Sequence, residues 1–194
     1  LECGQVFRYR RKADGSYTVY SLDKKCDLCY NARGEVEITT DAPGYFRRYF
    51  DLGEDYGKIT STLAALPELT AAVAFGKGIR ILRQDFTEAV FSFIVSANNN
   101  IARIKGIIER LAAAYGKNMG DYYAFPTPEE LQKATVADLK ALGLGYRAGY
   151  IYETAREFPG VKAGIAAITD AETAHKALLN LKGVGPKVAD CIVL

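Results

Sequence analysis

Leu181-Lys182-Gly183-Val184-Gly185-Pro186-Lys187-Val188-Ala189 turns through two glycines straight into a helix that carries a lysine in its first turn. Glycines one residue apart permit a tight turn and a close backbone approach to a ligand. Proline at the first helical position has its φ already set and loses no needed donor. The free N–H groups and dipole of a helix N-terminus favour an anion such as a phosphate. The same dipole disfavours an ammonium, so Lys187 in that first turn calls for an explanation. Unperturbed lysine titrates near ~10.4, and each unit of depression multiplies the free amine tenfold at a cost of about 1.4 kcal/mol. A phosphate-gripping turn beside an amine nucleophile points to lysine chemistry on a nucleic acid. A helix–turn–helix corner carrying a surface lysine fits this hairpin equally well.

The 194 residues are 49% apolar and 25% charged, with a net charge of +2. Such a length buries a sizeable core, in one large domain or two small ones. No apolar run is long enough to span a bilayer, and the small net charge leaves any nucleic-acid contact to a local basic face. Four cysteines (Cys3, Cys26, Cys29, Cys191) are too few and too scattered for a disulfide scaffold and fit a reducing compartment. Cys26 and Cys29 form a lone C-x-x-C whose side chains, on a strand, point to opposite faces; buried or edge thiols are favoured there over zinc. The chain opens on Leu1 rather than methionine and stops inside an apolar helix, and so reads as an internal piece of a longer protein.

The first forty residues alternate like strands. Gln5 to Arg10 and Tyr17 to Leu22 flank a turn at Ala13-Asp14-Gly15-Ser16, and Asp27 to Tyr30 and Val36 to Thr39 flank Asn31-Ala32-Arg33-Gly34. After Asp41-Ala42-Pro43 the apolar period lengthens from two to about 3.6 and the chain becomes helical. Asp85-Phe86-Thr87-Glu88 reads as a capping box before an almost wholly apolar and so buried helix, and Ile101 to Tyr115 as an amphipathic helix ending at Gly116. A second capping box, Thr127-Pro128-Glu129-Glu130, starts a helix toward Leu142 and Gly143. Tyr146 to Phe158 follows, stopped by Pro159-Gly160, and Asp170 to Asn180 leads into the hairpin. The fold class is α+β: a β-rich domain, an antiparallel sheet with short helices, over residues 1–78, then an all-α domain over 79–194 that ends in the hairpin.

Two further polar clusters sit at helix junctions. Asn98-Asn99-Asn100-Ile101-Ala102-Arg103 combines good helix caps with the side chains best suited to base edges. Leu142-Gly143-Leu144-Gly145-Tyr146-Arg147 pairs a glycine-loosened loop with an aromatic that can wedge into a base stack and an arginine that can bond bases or phosphates. Taken singly, the first reads as plain capping, while the second fits a tyrosine packed on the core as well as it fits a wedge.

Together with Cys3-Gly4-Gln5-Val6-Phe7-Arg8, Ile81-Leu82-Arg83-Gln84-Asp85 and Ala174-His175-Lys176-Ala177, these runs make the chain resemble the 8-oxoguanine DNA glycosylase family, within the helix-hairpin-helix glycosylases. The hairpin alone is shared with thymine-glycol and adenine-removing relatives; the asparagine–arginine run and the Gly4 segment are particular to this branch. The resemblance implies a base-excision enzyme that flips out 8-oxoguanine opposite cytosine, removes it, and can then nick the strand. Its partner would be double-stranded DNA containing oxidised guanine, met by a monomer in a nucleoid or nucleus and away from membranes. On that template Lys187 is the catalytic nucleophile and Schiff-base former, and Gly183, Val184, Gly185 and Lys187 form the phosphate-binding hairpin. Gly4 would accept the N7 hydrogen that oxidised guanine alone carries, and Cys191 would line the base pocket. Asn98, Arg103 and Arg147 would hold the orphaned cytosine, and Tyr146 would be the wedge; Arg103, absent from some bacterial relatives, implies a stronger demand for cytosine. Asp190 would orient a helix and His175 would pack or cap.

Lys182 stands where the family usually has proline, and Pro186 where a polar residue is common. Lys182 offers either a phosphate contact or a solvated charge. The family's catalytic aspartate would follow Leu194. No cofactor or catalytic metal is implied, although hairpins of this type can hold an ion on backbone carbonyls. The alternatives are a glycosylase for another damaged base and a non-catalytic helix-hairpin-helix DNA-binding module.

Overall fold

The computed structural model describes residues 1–194. Four strands, β1 (Tyr9–Arg11), β2 (Tyr17–Ser21), β3 (Lys24–Tyr30) and β4 (Val36–Thr39), form an antiparallel meander in sequential order. Asp14 and Asn31 close its turns by accepting from the backbone two to four residues on, as short polar side chains do. β3 begins three residues before the expected Asp27, because Ser21 pairs with Lys24 across a turn at Leu22. β1 starts later than expected, at Tyr9: Gln5 to Arg8 lies outside the strand, although the Arg8 carbonyl still accepts from Tyr20 N of β2 at 2.9 Å, and Val6, Phe7 and Arg8 are buried. Cys26 and Cys29 do face opposite ways, the first buried and the second exposed. Burial, with Asp27 adding to it, pushes the Cys26 thiol up to about 12.

The chain divides into two compact units, residues 42–83 and residues 1–41 with 84–194. The smaller holds α1 (Pro43–Tyr49), α2 (Tyr56–Ala64) and α3 (Thr70–Phe75). Phe46 is its fully buried centre, edge-on to Tyr49 at 5.7 Å and stacked on Phe50 at 5.9 Å. Asp51, at φ 52°, accepts from Arg83 at 2.8 Å and from the Tyr56 hydroxyl at 3.0 Å. The Arg83 bond holds the Asp51 carboxyl below its ordinary range.

The larger unit adds α4 (Phe86–Ser96), α5 (Ile101–Tyr115), α6 (Pro128–Leu131), α7 (Val136–Leu139), α8 (Arg147–Ala166), α9 (Ala171–Leu178) and α10 (Pro186–Val193) to the sheet. α4 is buried along almost its whole length. The Asp85 cap is half of the expected box: Asp85 accepts from Thr87 and Glu88, but the Glu88 carboxylate turns inward to Leu22 N (2.7 Å) and Ser21 Oγ (3.3 Å). Burial pushes that carboxyl up to about 7 against the pull of Arg8. Glu88 therefore ties the central helix to the end of β2.

Two helix expectations are corrected. The segment begun at Thr127 is not continuous to Leu142; α6 ends after one turn, Thr135 starts α7 with its own capping box on Asp138, and a π-helical turn spans Lys140–Leu144. α8 does not stop at Pro159 but runs on to Ala166. Proline there deprives the Ala155 carbonyl of its helical donor, and Gln132 supplies one from its side chain at 2.8 Å. The break is repaired by Gln132, the residue that caps the C-terminus of α6.

Candidate active site

The hairpin is built as its sequence suggests. Leu178, Leu181, Val184 and Ala189 bury the inner face of α9, the turn and α10. Gly183 sits at φ 84°, and a Cβ there would fall 2.3 Å from Tyr150 Cδ2, so both backbone and packing exclude a side chain. Gly185 is extended, at φ −92° and ψ 177°, with open space where a Cβ would be, and no side chain caps α10. Lys187 is exposed on the first turn of α10. His175 Nε2 reaches across to the Pro186 carbonyl (3.3 Å) and Asp190 Oδ1 (3.1 Å), fastening α9 to α10. Lys182 is paired with Glu153 of α8 at 2.7 Å, and that bond holds its ammonium above the ordinary lysine value.

A cleft of about 560 Å³ opens in front of Lys187, lined also by Gly4, Cys191, Asn98, Cys3, Phe7, Phe93 and Gly185. Small-molecule pockets run from about 300 to 1,000 Å³, so one flipped base is a reasonable occupant. Residues far apart in the chain thus share one wall-and-floor arrangement. The Gly4 wall is pinned from behind. Phe7 meets Phe93 edge-on at 5.6 Å, Gln84 donates to the Gln5 carbonyl at 2.8 Å, and Arg8 donates to Glu109 (3.0 Å) and to the Tyr123 carbonyl (2.7 Å). Gly4 itself lies at φ 86° with nothing near a built Cβ, so its backbone conformation, not crowding, calls for glycine. Burial pushes the Cys3 thiol up, but hydrogen bonds from the Gln5 backbone and side chain outweigh it, leaving the thiol below its ordinary value. Cys3 carried no role in the sequence reading; only its place beside Gly4 signalled it.

The asparagine run divides its labour. Asn100 caps α5 by accepting from Arg103 N at 2.9 Å, Asn99 donates to the Val95 carbonyl at 3.1 Å, and Asn98 takes a left-handed conformation at φ 47° on the cleft edge. Arg147, expected to face DNA, is only 3% exposed. Its Nε donates to the Ala97 carbonyl at 2.7 Å and its Nη2 to the carbonyls of Ala97 and, at 2.7 Å, Asn98. Those bonds shape the Asn98 loop and leave Nη1 out. Tyr146 stands 54% exposed above, its ring 4.4 Å from the Arg147 guanidinium carbon. Arg103 is exposed, with Nη2 3.3 Å from the Gly143 carbonyl, and Arg110 donates to the Leu142 carbonyl at 2.8 Å. Two arginines of α5 therefore hold the glycine loop that presents Tyr146. No group of three or more His, Cys, Asp or Glu side chains is placed to hold a metal ion, and no helix is long and apolar enough to cross a membrane.

The N-terminal-domain model of 8-oxoguanine DNA glycosylases matches residues 1–90, and that of HhH-GPD superfamily base excision DNA repair proteins matches 91–187. A solved 8-oxoguanine glycosylase/lyase of Clostridium acetobutylicum, in complex with double-stranded DNA containing cytosine opposite 8-oxoG, superposes with a TM-score of 0.90 at 36% identity, over 99% of this chain and 69% of that one. The chain belongs to the 8-oxoguanine DNA glycosylase family. Within it, the N-glycosylase/DNA lyase of Saccharomyces cerevisiae is 42% identical over 136 residues, 61% of this chain and 36% of that protein. N-glycosylase/DNA lyase OGG1 of Arabidopsis thaliana is 36% identical over 129 residues, 61% of this chain and 35% of that protein. The match thus spans about a third of the length of these two curated relatives. A 3-methyladenine DNA glycosylase of Archaeoglobus fulgidus, 16% identical with a TM-score of 0.70, shares the fold.

Proposed function

We propose that this chain carries the lesion pocket and nucleophile of a base-excision glycosylase and AP lyase that removes 8-oxoguanine opposite cytosine from double-stranded DNA. One observation carries the reading: Gly4, Lys187, Cys191 and Asn98, drawn from both ends and the middle of the sequence, line a single cleft of base size. The free N–H groups at the start of α10 and the open Gly185 backbone suit a phosphate of the damaged strand. Tyr146 fills the space left by the extruded nucleotide. Asn98, Arg103 and the unused Nη1 of Arg147 receive the orphaned cytosine, whose acceptor edge matches guanidinium donors. The Gly4 carbonyl accepts the N7–H of the oxidised base. Undamaged guanine has a lone pair there, leaving two acceptors face to face at a cost of roughly 1–3 kcal/mol.

In the chemical step the lone pair of the Lys187 amine forms a bond to C1′ while the bond from C1′ to the base nitrogen breaks. The departing base keeps that electron pair and takes up a proton. Opening of the sugar gives an imine on Lys187, and loss of a C2′ proton then expels the 3′ phosphate. Cys191, one helical turn beyond Lys187, supplies a polarisable wall for the base.

The test is single-turnover base release by the full-length protein from duplexes with 8-oxoguanine opposite each of the four bases, beside duplexes carrying other lesions. Fastest release from the cytosine pair, abolished by Lys187→Gln with duplex binding retained, is the expected result. Equal release of unrelated lesions would overturn the substrate assignment.

A further inference from the structure

Tyr150 lies between the two parts that have to act together. Its ring stands edge-on to the Tyr146 ring, with centroids 5.8 Å apart at 78°. Its other side closes on the hairpin, where the Cβ position of Gly183 is 2.3 Å from Tyr150 Cδ2 and 2.6 Å from Cγ. One turn further along α8, Glu153 holds Lys182 at 2.7 Å. The first turns of α8 thus carry the exposed aromatic and also brace the two residues at which the chain bends toward α10. Gly183 at φ 84° sets the direction in which α10 leaves, and therefore where Lys187 points. The Tyr150 hydroxyl takes no part in these contacts; the flat ring does.

We propose that Tyr150 is a positioning residue that couples insertion of Tyr146 into the duplex to the placement of Lys187 at the sugar. A displacement of the Tyr146 ring presses on Tyr150, and the close approach of that ring to Gly183 passes the movement to the hairpin. The inference rests on the reading of Lys187 as nucleophile and Tyr146 as wedge. A tyrosine that merely fills the core makes a different prediction: truncation lowers stability and multiplies independently with changes at Tyr146.

The experiment measures, in the full-length protein, the single-turnover release rate, duplex affinity and melting temperature of Tyr150→Ala, Tyr150→Leu, Tyr150→Phe, Tyr146→Ala and the Tyr146→Ala/Tyr150→Ala pair. Tyr150→Phe keeps the ring and should stay within about twofold of the wild type, while Tyr150→Ala and Tyr150→Leu should lose about tenfold or more in rate with affinity changed by less than about threefold. The double variant should be no slower than the slower single one. Should Tyr150→Ala melt below the assay temperature, Tyr150→Leu retains most of the apolar volume and decides the matter. Wild-type rates in the Ala and Leu variants, or losses that multiply with that of Tyr146→Ala, would overturn the coupling. A wild type that releases no oxidised base would instead overturn the functional reading beneath it.

Discussion

The paired substitutions Gly183→Ala and Gly185→Ala separate the two jobs of the hairpin glycines. At position 183 an alanine meets a left-handed backbone, φ 84°, and its methyl carbon lands 2.3 Å from the Tyr150 ring. The conformation costs roughly 1–2 kcal/mol for a residue with a Cβ, and forcing an extra methyl into a packed contact costs roughly 1–3 kcal/mol more. Their sum, roughly 2–5 kcal/mol, corresponds to a melting temperature lower by roughly 4–20 °C for a domain of this size. At position 185 the backbone is extended and nothing lies within 4 Å of the new carbon, so Gly185→Ala should leave the melting temperature almost unchanged. That same methyl projects where the strand backbone is proposed to approach, and it should weaken duplex binding several-fold. Differential scanning calorimetry and fluorescence anisotropy on the two variants make the comparison. If Gly183→Ala melts with the wild type, or Gly185→Ala loses stability but not affinity, the assignment of one glycine to the fold and the other to the ligand is wrong.

Three other outcomes follow from particular contacts. Folding raises the Glu88 carboxyl from 4.5 to about 7, so its contribution is full below the unfolded value and is lost as pH climbs through 7, a swing of about 3 kcal/mol. Chemical denaturation of Glu88→Gln should accordingly show a flatter stability profile between pH 4.5 and 8 than the wild type, and parallel profiles would exclude the buried carboxyl as the source. Gln132→Ala orphans the Ala155 carbonyl above Pro159 and should cost about 1–3 kcal/mol, a penalty that shrinks in a Pro159→Ala background where the helix recovers its own donor. Equal penalties in the two backgrounds would mean that Gln132 does not repair the helix. Arg110→Met removes the bond to the Leu142 carbonyl; base release should slow while the melting temperature falls by only a few degrees, about 1 kcal/mol.

Features whose causes are local were legible in the sequence. The caps at Asp85 and Thr127 and the span Ile101–Tyr115 follow from residues within one turn of the helix end, and the structure has each of them. The hairpin is legible for the same reason, since its glycines and Pro186 determine the backbone by themselves. What stayed hidden depends on partners far along the chain. Pro159 reads as a stop, and nothing near it announces that Gln132 will serve the carbonyl it strands. Arg147 beside Tyr146 reads as a surface cation, yet the carbonyls that bury it belong to Ala97 and Asn98. Lys182 could be a phosphate ligand until Glu153 is seen beside it. Thr135 followed by Asp138 spells a second helix start, hidden inside the span that the capping box at Thr127 makes look like one helix.

Borohydride reduction of the full-length protein during reaction with an 8-oxoguanine duplex, followed by peptide mapping of the cross-linked protein, identifies the amine that forms the imine. A reduced sugar adduct is expected on the Lys187 side chain at the start of α10, and none from Lys187→Gln. An adduct on any other amine, or one that persists in that variant, would contradict Lys187 as that amine.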